Sequence, residues 1–319
     1  MATVSAMPKI LVERAMELMC ANYVFPERAV PAAADVRRRL TEGEYDGMDE
    51  AALADALTLT LAEHCADKHL RVRTRDARLH ATVDPAEADA VSREHLRVTN
   101  HGIARVERLD GNVGCLDLRG VTAAGLGGRA IAAAMELVSQ TDALIIDLRH
   151  NRGGSPDGAI FWTSYFFPDG ETHLNSIESG AGSSLRQYWS IAYLPGERYL
   201  DRPVYVLTSG FTFSAGEELS YNLQTQGRAT LIGETTRGGA HPTDRFPITP
   251  TLEITVPVAR SINPVTGTNW EGTGVAPDIA VPAEQAHTVA YRLALEHVLA
   301  ASASPVVRDE ARDALAALA

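Results

Sequence analysis

From Lys9 to about Glu63 the apolar residues return at helical intervals in ILVERAMELM, AVPAAADVRRRL and DEAALADALTLTLAEH, with Pro26 and Pro31 as breakers. This spacing predicts three helices gathered into a small bundle. Asp49 stands just ahead of the third and is its candidate N-cap. After DKHLRVRTRD comes a polar, proline-containing stretch, and then short apolar runs separated by helical periodicity. Buried strands are predicted at 113–118 (VGCLDL), 143–148 (ALIIDL), 203–208 (PVYVLT) and 229–233 (ATLIG), with helices at 128–140 and 214–226. Such alternation implies right-handed α/β crossovers on a mostly parallel sheet. Beyond Gly239 the alternating TLEITVPVAR at 251–260 and the turn-rich SINPVTGTNWEGTGVAPD read as a β-ribbon, and the Ala-rich tail from about Glu284 as helix. The expected organisation is a helical bundle over 1–66 and an α/β core with a helical tail over 67–319, without internal repeats or low-complexity linkers.

Composition narrows the function classes. A chain of 319 residues can bury a full α/β core, and no apolar run is long enough to cross a bilayer, so membrane insertion is not expected. The N-terminus lacks the basic flank, apolar stretch and cleavage site of a secretory signal, which makes a cytoplasmic location the expectation. A net charge of −12 argues against a nucleic-acid partner. Cys20, Cys65 and Cys115 are odd in number, widely spaced and set among apolar residues, so they are expected to be core thiols rather than disulfides or zinc ligands. His64 and His69 are five apart, not the four that would place two ligands on one helix face, and the glycine-rich stretches lack a nucleotide-binding fingerprint. Neither metal nor cofactor is expected. Lys9 and Lys68 are the only lysines against 27 arginines, which leaves few candidates for a lysine base.

Two stretches carry candidate chemistry. A strand, a glycine-containing loop and a helix beginning at Ser214 put that hydroxyl at a helix N-terminus, where free N–H groups and the helix dipole favour developing negative charge. Ser214-Ala215-Gly216-Glu217 also reads as a capping box, which needs no catalytic role. In DLRHNRGG at 147–154, a buried strand ends in a loop whose glycines can expose backbone amides; the amide of Gly153 or Gly154, with that of Ala215, can form an oxyanion hole. An ordinary glycine turn accounts for the same residues.

DLRHNRGG, TSGFTFSAGEEL, LIGETTRGGAHP and WEGTGVAPD follow one another in an order that resembles the tail-specific and C-terminal processing serine peptidases. The likeness covers roughly residues 10–283 and is nearest to the branch that includes interphotoreceptor retinoid-binding protein and the tricorn core. It implies a crotonase-like α/β core preceded by a helical bundle. By the same likeness Ser214, three positions before Glu217, is the nucleophile, Ser209 and Thr212 are bystanders, and Gly154 with Ala215 donates to the oxyanion. The processing-peptidase branch places a lysine base 25 positions after the nucleophile, and here that position is Gly239. The tricorn-like branch uses a histidine and a glutamate, whose counterparts are His69 in DKHLRV and Glu271 in NWEGTGV. A neutral imidazole oriented by a carboxylate suits the base role. His241 in GGAHP stays a rival base, or lines the substrate groove with Gly153.

Processing peptidases insert a PDZ module between bundle and core. The roughly forty residues between His69 and Val113 are too few for one. The expected function is hydrolysis of peptide or peptide-like amide bonds. A ligand-binding protein on the same fold, or a hydrolase of esters or peptide-like small molecules, remains the alternative, and homo-oligomerisation stays open.

Overall fold

The computed structural model describes residues 6–75, 85–180 and 184–318, with the side chains of residues 6, 7 and 85–89 set aside. The chain forms two compact units: one of residues 1–92, 176–186 and 241–262, the other of residues 93–175, 187–240 and 263–319.

The first unit begins with three helices, α1 (Ala6–Asn22), α2 (Pro26–Thr41) and α3 (Glu50–Cys65), at the places the periodicity predicts. Asp49 caps α3, accepting the amide of Ala52 at 2.9 Å. Pro26 starts α2 in its first turn, where no N–H is missed. Pro31, read as a breaker, instead lies inside α2; the helix forgoes one backbone bond there and keeps its buried face of Ala29, Ala32, Ala33 and Val36. Against the helices lies a three-stranded antiparallel sheet in the order β1 (Arg71–Thr74), β10 (Leu252–Pro257), β9 (Thr243–Pro247). Leu252, Ile254 and Val256 of the central strand close a core with Val12, Met16, Met19, Leu57 and Leu61.

The boundary read at residue 66 therefore does not coincide with the compact units. The alternation at 251–260 forms two strands, β10 and β11 (Ala259–Ile262), that pair in different sheets and not with each other, so the expected ribbon is not made; the alternate apolar side chains of β10 complete the helical core, and the pattern alone does not say which partners a strand takes. β11 pairs antiparallel with the 176–179 half of β5 (His173–Ser179), whose other edge meets β6 (Ser184–Trp189). Between β1 and β2 the described residues hold one α-helix, α4 (Pro85–Val98), a short 3-10 turn at Asn100–Gly102 and no strand; part of the polar stretch after Arg75 lies outside them.

The second unit is built on a six-stranded sheet ordered β12-β8-β7-β4-β3-β2, comprising β2 (Ile103–Leu109), β3 (Val113–Leu118), β4 (Ala143–Asp147), β7 (Val204–Thr208), β8 (Thr230–Gly233) and β12 (Ile279–Ala280). Every pairing is parallel except β2 with β3. Both faces are covered, which is why β3 and β4 are apolar without alternation. Leu116, Leu144, Ile146, Val206 and Leu231 pack against α5 (Ala124–Val138), α6 (Pro156–Ser164) and α7 (Ala215–Thr225). Cys115, Ala143, Ile145, Leu207 and Ile232 face α8 (Ala283–Ala301) and α9 (Pro305–Ala317). Cys65 and Cys115 are core thiols as expected, and burial pushes each up to about 11. Cys20 is exposed, because its position in α1 falls on the solvent side of a helix whose apolar residues run nearly all round. Among the described residues no helix is long and apolar enough to cross a membrane.

Helix α7 buries an acidic side chain, Glu218, that sequence reading passes over. It is 3% exposed and receives the side-chain N–H of Asn175 at 2.9 Å. Burial, reinforced by the charge of Asp157, pushes its carboxyl up to about 7. The folded protein thus holds this proton more tightly than the unfolded chain does. The resulting stability is fully present at acidic pH below the ordinary carboxyl value and is lost as pH rises through 7. Glu218→Gln should raise the thermal midpoint at pH 8, by on the order of 3 kcal/mol in stability, and the gain should vanish near pH 4. Thermal melts of both proteins across that range check this.

Candidate active site

Strand β7 ends at Thr208, and a five-residue loop leads to Ser214 and α7. The loop is fastened to the end of β4: Ser209 Oγ donates to the carbonyl of Arg149 at 2.6 Å, and Thr212 Oγ1 donates to that of Leu148 at 2.8 Å. Both hydroxyls are thereby engaged in holding the two loops together. Ser214 sits at φ 56°, ψ −123°. A capping serine ordinarily has extended angles with φ near −90°, so the cap role alone does not account for this backbone. For a residue with a side chain the left-handed φ is strained and must be held by its surroundings.

The holding group is Glu217, wholly buried one turn along α7. One carboxylate oxygen accepts the amide of Ser214 at 2.7 Å and that of Gly239 at 2.9 Å; the other accepts the hydroxyl of Thr236 at 2.5 Å and the amide of Gly238 at 2.6 Å. Burial pushes this carboxyl above its ordinary range, and the four donors pull it back. The expected capping box of Ser214 and Glu217 is thus present, and Glu217 also ties down the 236–239 loop.

The second loop, after β4, lies against the first. Asn151 directs it: its side-chain N–H donates to the carbonyl of Leu118 at 2.8 Å, its side-chain oxygen accepts the amide of Gly153 at 2.8 Å, and its backbone carbonyl accepts the amide of Phe213 at 3.0 Å. Gly153 has φ 91°, and a Cβ there would stand 2.7 Å from both the carbonyl oxygen of Phe213 and Cβ of Ser214, so only glycine lets the loops meet. Val121 donates to the carbonyl of Gly153 and accepts from Ser155, a parallel bridge that turns the N–H of the intervening Gly154 away from it. Gly154 is exposed, with φ 148°. Among the described residues, neither the Gly154 amide nor the Ala215 amide at the start of α7 donates to another protein group. Two candidate oxyanion donors therefore flank Ser214, while the Gly153 amide is already committed to Asn151.

Glu271 belongs to the same unit. Its amide donates to the side-chain oxygen of Asn269 at 2.9 Å, and its carboxylate accepts the amide of Ala240 at 2.5 Å. The neighbouring Trp270 donates its indole N–H to the carbonyl of Gly239 at 2.8 Å.

The two histidines belong to the first unit, where both meet Asp67. One oxygen of Asp67 accepts the backbone amide of His69 at 3.0 Å; the other faces Nδ1 of His241 at 2.6 Å and accepts the hydroxyl of Tyr23 at 3.3 Å. Thr255 donates its hydroxyl to the carbonyl of His69 at 2.5 Å. The His241 ring, 6% exposed, packs on Phe25 with centroids 5.1 Å apart. Asp67 was not singled out in the sequence, although it stands two residues before His69 in DKH, where an Asx turn onto the following amide is a readable signal.

A twisted parallel sheet with a strained serine at a helix start and two amides directed beside it defines a serine-hydrolase type of site. The model of peptidase family S41 matches residues 112–281, and that of the N-terminal domain of these peptidases in eukaryotic IRBP matches residues 1–101. The chain belongs to peptidase family S41. The carboxy-terminal-processing protease of Bartonella bacilliformis is 31% identical over 137 residues, covering 43% of this chain and 30% of that protein. The corresponding protease of Synechocystis sp. is 32% identical over 123 residues, 39% of this chain and 27% of that one, so the matched region spans less than a third of either relative. The structure of the photosystem II D1 C-terminal processing protease shares the fold, with a TM-score of 0.55 at 16% identity over 94% of this chain and 98% of that one.

Glu217→Gln should weaken the protein by about 2–3 kcal/mol, since an amide places an N–H₂ group against donors that only a carboxylate oxygen can receive. A urea denaturation series measures it. No loss of stability would show that the four bonds do not hold the serine loop.

Proposed function

We propose that this protein is a serine peptidase that hydrolyses peptide amide bonds through an acyl-enzyme on Ser214. The observation that carries the reading is the strained φ of Ser214 beside the uncommitted amides of Ala215 and Gly154. His69 takes the hydroxyl proton as the serine oxygen attacks the scissile carbonyl, and the two amides hold the resulting oxyanion. The imidazolium then gives that proton to the leaving amine as the C–N bond breaks. Water, deprotonated by the same ring, releases the acyl group and restores the serine. Glu271 orients the ring in this scheme, and His241 contributes to the substrate groove. Support for His69 comes from its place in the family pattern and from a backbone pinned at both its amide and its carbonyl.

One observation favours a second assignment of the base. The Asp67 carboxylate on Nδ1 of His241 is the kind of contact that fixes a histidine tautomer with Nε2 as the basic nitrogen. In that reading His241 is the base and Asp67 its orienting carboxylate.

A fluorophosphonate probe should label the wild type and not Ser214→Ala, whose folding changes by no more than the loss of a cap, about 0.5–2 kcal/mol. Equal labelling of both proteins removes Ser214 from the role. Absence of labelling in the wild type favours a ligand-binding protein without turnover. Peptide turnover in His69→Ala should fall at least about a thousand-fold, as in Ser214→Ala, because such residues act as a unit, with Glu271→Gln retaining more. His241→Ala should chiefly raise KM; a collapse of kcat there, with His69→Ala spared, transfers the base role to His241.

A further inference from the structure

Beside the Gly153-Gly154 peptide the second unit holds a cavity of about 550 Å³. Its apolar wall is Leu96, Ala104, Val121, Ala123 and Leu126, and Gly153 and Gly154 close one side. Val121 joins the two features, since it lines the cavity and also forms the bridge that presents the Gly154 amide. Leu126, in the first turn of α5, is 47% exposed, so a large apolar side chain stands open at a concave site.

Among the described residues of the lining, Arg119 carries a fixed positive charge and none is acidic. Arg119 is engaged by Asp117, Nη2 to Oδ2 at 3.0 Å, which neutralises much of its charge without turning the cavity acidic. A volume in the range of small-molecule pockets, walled by aliphatic groups, suits one large apolar or aromatic side chain. A lysine or arginine side chain entering it gives up water to an aliphatic wall, and the Asp117 carboxylate beside it is already engaged by Arg119.

Resting on the peptidase reading above, we infer that this cavity is the specificity pocket for the residue flanking the scissile bond, and that it selects large apolar side chains and rejects basic ones. A carbonyl held by the Gly154 amide has the adjoining side chain within a few ångströms of it, and the Gly153-Gly154 peptide is itself part of the cavity wall. Leu126 and Val121 then set the preference by contact, and the aliphatic wall disfavours a cation that would have to give up its water there.

Two substitutions at Leu126 test this, both in the first helical turn, where an exposed side chain can change without loss of fold and aspartate suits the dipole. Cleavage of a peptide library, with sites assigned by mass spectrometry, should show phenylalanine or leucine preferred over lysine or arginine at one flanking position by at least about ten-fold. Leu126→Trp should shift that position toward alanine and glycine, and Leu126→Asp should raise lysine and arginine by about ten-fold. Unchanged preference in both variants, with Ser214 still labelled by the fluorophosphonate, overturns the pocket and leaves the nucleophile standing. If the wild type neither labels nor cleaves, the peptidase reading fails instead, and NMR titration with N-acetyl-phenylalanine amide and N-acetyl-arginine amide then reads the cavity without turnover. The phenylalanine amide should bind tighter to the wild type, with the order reversed in Leu126→Asp. Equal or absent binding of the two overturns the inference on its own.

Discussion

The buried carboxylate of Glu217 is the interaction from which the serine loop takes its shape. A carboxylate removed from water is tolerated only when its lone pairs are met, and here four donors meet them: the amides of Ser214, Gly238 and Gly239 and the hydroxyl of Thr236. The bond to Ser214 holds a residue that would otherwise leave its left-handed φ. Those to the 236–239 loop carry the effect further, because Thr236 Oγ1 also accepts the amide of Val275 at 2.7 Å and the carbonyl of Gly239 accepts the Trp270 indole. The segment bearing Glu271 therefore depends on the same carboxylate. One charged group couples the serine, the loop after β8 and the turn after Trp270.

Asp67 plays the comparable part in the first unit. Its two oxygens engage the backbone of His69, the ring of His241 and the hydroxyl of Tyr23. Burial and the Asp67 charge push the Tyr23 hydroxyl far above its ordinary range, so at any working pH it stays a neutral donor to that carboxylate. In both units a buried acid makes bonds to groups distant in sequence, and in both it holds a candidate site residue, Ser214 in one and His241 in the other.

The strands and helices of the sheet unit were legible because parallel strands covered on both faces leave continuous apolar runs, as in ALIID, and helices leave a 3.6 period. The serine and the glycine pair were legible as residue types at spacings that chemistry and family likeness share. What the pattern did not carry was partnership. Alternation in LEITVP announces a strand with a buried face, yet whether Leu252, Ile254 and Val256 cover the helical core or the sheet is a matter of long-range pairing. Pro31 looked like a breaker because sequence shows the lost N–H, not the packing of Ala29, Ala32, Ala33 and Val36 that outweighs it. Glu217 read as half of a capping box, and nothing local revealed that three of its four donors lie some twenty residues on.

At the position where the lysine-dependent branch is expected to place its base, this chain has Gly239, and the structure gives that residue a different task. Gly239 is buried, its amide committed to Glu217 and its carbonyl to Trp270. It acts as a backbone fastener, and the loop it fastens runs on through Ala240, whose amide Glu271 holds. Histidine, unlike lysine, needs no strong desolvation to become a base near neutral pH; it needs a carboxylate or a carbonyl to fix its tautomer. Under the proposed mechanism, two lysines in 319 residues and a buried aspartate bonded to a histidine ring favour the second chemistry over the first.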